Sequence, residues 1–200
     1  MATYYYNGAK ILAPFSIISN SPVYESDTVS LKRLRSSQGH QRWELSFECI
    51  ANDNLADLFI DSIKDLDTAD SMIMPQFKEV EDLCTLSGTA TVTETAAVNA
   101  SSVKIAHTGI NGVLKKGSFV KFSNYPKVYT LTADLNMASS EDQDALIFPR
   151  LVKEVPANST MNYGSDCVIT YFKDITGLQG MSFADGILAD MGSINLAEAL

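Results

Sequence analysis

The stretch Gln41 to Cys49 constrains this chain more than any other, because Trp43, Leu45, Phe47 and Cys49 alternate there with Arg42, Glu44, Ser46 and Glu48. A period of two belongs to an extended strand, whose successive side chains point to opposite faces. One face has to be covered while the other can meet water, so the chain needs a mainly antiparallel sheet with a core on one side. Upstream, Val29 to Leu34 reads as a second strand. The turn segment Ser36-Ser37-Gln38-Gly39 would join the two in a hairpin.

Downstream the period changes. Asn52 or Asp53 is placed to cap a helix in which Leu55, Leu58, Phe59, Ile63 and Leu66 form one apolar stripe. A lone amphipathic helix of this length is marginal in water, so it should lie on the apolar face of the strands before it. Asp53, Asp57, Asp61 and Asp65 recur every four residues on its other face. Like charges at that spacing cost roughly 0.2–0.5 kcal/mol per neighbouring pair. A solvated face with Lys64 nearby accounts for them. So does an acidic strip facing a basic surface on a neighbouring copy, for which Lys32, Arg33 and Arg35 of the LKRLR segment are the candidates. A calcium site is a distant third, since one helix cannot wrap its own carboxylates around an ion.

From about Glu79 to Tyr163 the texture is rich in Thr, Ser, Val and Ala. Strand-like runs fall at Ala90 to Thr95, Ser102 to Ala106, Phe119 to Phe122, Val128 to Thr132 and Ala145 to Leu151. Turn signals separate them: Gly109-Ile110-Asn111-Gly112, Lys115-Lys116-Gly117, Asn124-Tyr125-Pro126 and Ser139 to Asp142. About five short strands bounded by composition breaks suggest a small barrel, and five is the count of an OB-type barrel, with a sandwich as the alternative. Cys167 to Phe172 and Ser193 to Leu200 return to strand patterns. The expected layout is one discontinuous domain, 1–78 with 164–200, carrying an inserted β-barrel domain at 79–163. The glycine-bearing segment 176–192 has no assigned structure.

Chemistry-bearing constellations are sparse. The two histidines, His40 and His107, stand in no metal-spaced or nucleophile motif and read as exposed loop ends. The three cysteines, Cys49, Cys84 and Cys167, are odd in number and have no CxxC pair, which disfavours a disulfide framework or a zinc site. They read as core residues rather than partners of a histidine. The acidic runs Glu79-Val80-Glu81-Asp82 and Glu141-Asp142-Gln143-Asp144 have nothing apolar around them to raise a carboxyl pKa, so they read as solvated loops. No phosphate-cradling glycine loop is present. No catalytic residue, metal or cofactor is therefore expected. Phe119, Phe122, Tyr125 and Tyr129 could stack bases or sugar rings, although the alternation requires some of them to fill the barrel. Tyr125 and Tyr129 are kept as candidates for an outward ligand or partner surface.

A formal net charge of -9 argues against gripping phosphate backbones and suits either plain solubility or a wall that nucleic acid passes without sticking. The apolar stretch Ile11 to Ile18 is interrupted by Pro14 and has neither a basic flank nor a cleavage pattern. It is also too short to span a bilayer, so membrane insertion is not expected and synthesis in a cytoplasm is.

Three stretches in order are Ser36 to Cys49 (SSQGHQRWELSFEC), followed by the amphipathic helix; Met74-Pro75-Gln76-Phe77 with Lys116 to Phe122 and Tyr125 to Tyr129; and the chain end Ser193 to Leu200. Together they resemble the distal tail proteins of long-tailed bacteriophages, in particular the type with an inserted OB-like domain. The resemblance implies a β-sandwich-like belt domain that assembles head to tail into a closed homo-hexameric ring in the virion tail, built in the host cytoplasm. Such a ring joins the tail tube protein to hub or tail-tip proteins and leaves a channel for phage DNA, with the barrel outward; that barrel could hold fibre or collar proteins or touch cell-surface sugar, partners that members of the family do not share. A baseplate or hub subunit of a contractile tail, and a carbohydrate- or single-strand-binding module, are the alternatives.

Overall fold

The computed structural model describes residues 5–6, 9–27, 33–37, 41–49, 60, 64, 66–174, 182–184, 187–190 and 192–200. Its elements run β1 (Tyr5–Tyr6), β2 (Ala9–Asn20), β3 (Val23–Asp27), β4 (Arg33–Ser37), β5 (Arg42–Cys49) and β6 (Asp70–Ile73), then α1 (Lys78–Leu83). After these come β7 (Ser87–Gly88), β8 (Ala90–Thr91), β9 (Ser102–Ile105), β10 (Ile110–Asn111), β11 (Val113–Leu114), β12 (Phe119–Phe122) and β13 (Val128–Leu131). The last are β14 (Leu135–Asn136), β15 (Gln143–Phe148), β16 (Thr160–Tyr163), β17 (Val168–Lys173), β18 (Ser182–Ala184), β19 (Ile187–Asp190) and β20 (Ile194–Glu198). The protein is mainly β, and its chain divides into two compact units. One is Met1–Ser19, Arg42–Pro75 and Ile169–Leu200; the other is Asn20–Gln41 and Gln76–Val168. The sequence put the changeovers at 78/79 and 163/164, where the units change at 75/76 and 168/169. Residues 20–41, expected with the chain ends, go with the barrel unit.

In the first unit a six-stranded sheet has the order β1-β2-β5-β20-β17-β6. The alternation in β5 sets its inner face: Trp43, Leu45, Phe47 and Cys49 are buried while Arg42 and Glu48 are exposed. β20 lies antiparallel to β5, with Ile194 opposite Phe47 and Leu196 opposite Leu45, and on its other side Tyr171 of β17 faces Glu198. The ring of Tyr6 meets Phe47 edge-on at 5.4 Å and lies 6.2 Å from Tyr171. Each large apolar side chain buried this way contributes about 1.5–3 kcal/mol. Glu198 is also buried, and its carboxylate accepts the Trp43 backbone N–H at 3.0 Å, a charge-assisted bond that offsets part of its desolvation.

Among the described residues the expected hairpin between Val29–Leu34 and β5 is not seen, residues 28–32 and 38–40 lying outside them. β4 instead pairs antiparallel with β3 over five rungs, from Val23 opposite Ser37 to Asp27 opposite Arg33. In that register Glu25 is the Cα partner of Arg35 and Asp27 that of Arg33. β5 takes its two neighbours from the ends of the chain, β2 on one side and β20 on the other. The amphipathic helix expected from Asn52 to Leu66 lies outside the described residues, apart from Ile60, Lys64 and Leu66. Lys64 N–H donates to the Ile60 carbonyl at 2.8 Å, the four-residue spacing of an α-helix.

The second unit carries a six-stranded antiparallel sheet ordered β8-β16-β12-β13-β15-β9. Its outer strands meet through a bridge at Val92 and Ile105, with Thr93 N–H donating to Lys104 O at 3.0 Å and Ala106 N–H to Thr91 O at 2.8 Å, so the sheet nearly closes into a barrel. The neighbours β16-β12-β13-β15 follow Greek-key order. Inside lie Val92, Val103, Ile105, Val120, Phe122, Tyr129, Leu131, Ala145, Ile147 and Met161. The sequence marked five strands; the sixth, β16, is a four-residue run in which only Met161 is fully buried. β15 starts earlier than expected and stops at Phe148, before Pro149, whose ring nitrogen cannot donate to a ladder.

Two segments read as loops are ordered elements. Glu79 to Asp82 belongs to α1, where the acids of the first turn suit the helix N-terminus and Lys78 pairs with Asp82 at 3.1 Å. Ile110–Asn111, inside an expected turn, pairs with Ser87–Gly88. Residues 84–88 and 109–113 thereby form a strap, tied by Thr85 N–H to Val113 O at 3.0 Å, Val113 N–H to Thr85 Oγ1 at 3.1 Å and the Tyr163 hydroxyl to Gly88 O at 2.6 Å. Within 176–192, β18 and β19 form an antiparallel pair with an irregularity at Ser182/Phe183.

Candidate functional site

The inter-subunit candidates divide unevenly. Asp53, Asp57, Asp61, Asp65 and Lys32 lie outside the described residues. Arg33 and Arg35 stand on β4 two residues apart, hence on one face of that strand, with Asp27 and Glu25 as their cross-strand neighbours.

The aromatic candidates separate by burial. Tyr129 is 2% exposed, its ring 5.7 Å from Phe122, and its hydroxyl accepts the Val152 N–H at 3.4 Å. It is a barrel core residue with its polar end satisfied, so it is removed from the outward surface. Phe119 and Phe122 are buried as well, Phe119 against Phe77 at 5.8 Å. Phe122 shares its inward parity with Val120 on β12, and Tyr129 shares its own with Leu131 on β13, so these enter the barrel core, whereas Phe119 has the opposite parity and is covered by Phe77 instead. Tyr125 is different. It sits half-buried in the turn between those strands with the Lys153 ammonium 5.6 Å from its ring centre, and Asn124 Nδ2 donates to Glu154 O at 2.8 Å beside it. A cation over the ring is worth about 0.5–1 kcal/mol at an exposed site and fixes the turn against the following loop.

His40 lies outside the described residues. His107 is exposed at the end of β9, where Asp142 Oδ1 accepts its backbone N–H at 3.0 Å and lies 2.8 Å from its ring Nδ1. Those hydrogen bonds, ring first, hold the Asp142 carboxyl below its ordinary range. Lys115 does the same for Asp134, its ammonium at 2.7 Å assisted by the Lys116 N–H at 2.8 Å. The two pairs bind turns to neighbouring loops. Sequence reading missed both because the partners are 35 and 19 residues apart and no local pattern links them.

None of the three cysteines is in a disulfide. Burial pushes the Cys49 thiol up to about 12, which leaves it protonated and unreactive at neutral pH. Cys84 lies 3.5 Å from the Ser118 hydroxyl and accepts the Lys115 N–H at 3.5 Å. Among the described residues no group of three or more His, Cys, Asp or Glu is placed to hold a metal ion, and no helix is long and apolar enough to cross a membrane. Comparison with protein-family models finds no match for the chain, and neither does a search of curated proteins.

Proposed function

We propose that the protein is a structural subunit of a phage tail tip, forming a hexameric ring at the distal end of the tail tube. In this reading the ring joins tube to hub and leaves a channel that DNA passes without specific binding. What supports it, besides the resemblance of the three stretches, is the discontinuous layout: the chain makes part of a sheet, then a small barrel, then returns to insert β20 between β5 and β17. The sheet unit stands for the sandwich-like belt, and the Greek-key barrel, with six strands, for the OB-like insertion. No catalysis and no cofactor enter this function.

A head-to-tail ring needs two different surfaces on each copy. The aspartate row at 53, 57, 61 and 65 and the Lys32–Arg33–Arg35 segment are the proposed pair, and the acidic remainder of the chain keeps the lumen from holding DNA. Light scattering across a concentration series, followed by negative-stain imaging, tests the ring directly. Six copies around a central hole are expected. A strict monomer that binds a glycan or an oligonucleotide saturably would replace this reading with that of a binding module. Reversing charge in Asp57→Lys/Asp61→Lys should weaken the ring, and adding Lys32→Glu/Arg33→Glu should restore it; unchanged assembly in the first variant eliminates the contact.

A further inference from the structure

Asn-Gly is the sequence at which an asparagine most readily loses its amide, because glycine leaves the following backbone nitrogen unhindered. The chain has two such pairs, Asn7-Gly8 and Asn111-Gly112. The reaction needs only base and water. The Gly112 nitrogen gives up its proton and attacks Asn111 Cγ; the new C–N bond closes a five-membered imide as the Cγ–Nδ2 bond breaks and ammonia leaves. Water then opens the ring at either carbonyl, giving aspartate or isoaspartate.

Asn111 is exposed, so base and water reach it. Its backbone, however, is extended in β10, opposite Ser87, whose hydroxyl donates to Asn111 O at 3.4 Å. An extended Asn111 keeps the Gly112 nitrogen away from Cγ, and closing the imide requires a rotation that the pairing prevents. Gly112 is itself confined: its φ is +107°, a Cβ would stand 2.3 Å from Thr85 O, and its carbonyl accepts the Met137 N–H at 2.8 Å.

We propose that Asn111 is a deamidation site gated by the strap of residues 84–88 and 109–113, and that conversion to isoaspartate stops the strap from closing again. Isoaspartate lengthens the main chain by one carbon. Gly112, pressed against the Thr85 carbonyl, has no slack to absorb it.

The test is peptide mapping by mass after incubation at mildly alkaline pH, following the amide-to-acid gain at Asn111 in native protein and in urea, where Asn7 shows that the chemistry is running. Native conversion at Asn111 should be roughly tenfold or more slower than in urea, since only the open fraction reacts. Ser87→Ala and Thr85→Ala should speed it in native buffer, with protected amides at Val120 showing that the barrel is still folded. Equal native and urea rates would overturn the gate. So would a slow native rate that neither substitution changes while Val120 stays protected.

Discussion

Gly88 and Gly112 do at single positions what no other residue could. Both have φ near +105°, and a Cβ on either would fall 2.1 Å and 2.3 Å from the facing strap's carbonyl oxygen. Alanine at Gly88 or Gly112 should therefore cost more than the roughly 1–2 kcal/mol of a left-handed backbone alone. Gly109, with φ +79° and open space around it, should show only that smaller cost. Urea titrations of the three variants compare them. The same scale holds a pH dependence. Asp142 titrates below its ordinary 3.8 when folded because it accepts the His107 ring and backbone hydrogens. A lowered folded pKa gives stability that is present above 3.8 and lost as pH falls through the folded value. The stability difference between the parent and Asp142→Asn should thus be constant near neutrality and shrink on acidification below pH 4. A difference that does not change with pH would show that the carboxylate charge is not what the pair uses.

At the scale of elements, burial parity separates residues that composition treats alike. Phe122 of β12 is 1% exposed and Leu146 of β15 is 42% exposed. Phe122→Ala should cost about 3–5 kcal/mol of folding stability by leaving a cavity beside Tyr129, and Leu146→Ala under about 0.5 kcal/mol; denaturant midpoints measure both. Parity was legible in the sequence wherever it was strong. The alternation Trp43-Leu45-Phe47-Cys49 named the inner face of β5 residue by residue, and Phe119 to Phe122 gave β12 with its own ends. Partner choice was not legible. β5 lies beside a turn signal but sits between β2 and β20, because pairing follows which apolar face completes a core and not which strand comes next. β16 escaped because its inward face is short, Met161 being buried and Tyr163, two residues on, packing only partly against the same core. Of the candidate site residues, Tyr125 and Tyr129 looked equivalent, and only the register of their hairpin shows that one is core and the other rim.

At the scale of the molecule, the first unit depends on its last strand. Proline for Leu196 would remove a ladder N–H in the middle of the sheet and break the pairing with Leu45, at about 3 kcal/mol or more. Hydrogen exchange should then show lost protection across β5 and β17 while Val120 and Phe122 in the barrel keep theirs, and collapse of both regions together would mean that the two units share one folding transition. The position of β20 also orders events in time. Trp43 and the Glu198 carboxylate that accepts its N–H are 155 residues apart, so at about 5–20 residues per second the ribosome needs roughly 8–30 s to deliver the partner after β5 has emerged. Through that interval the edge of β5 that takes β20 stays open, while every strand of the barrel is made behind it. That open edge is thus the place where an extended segment of another chain could add itself as a strand.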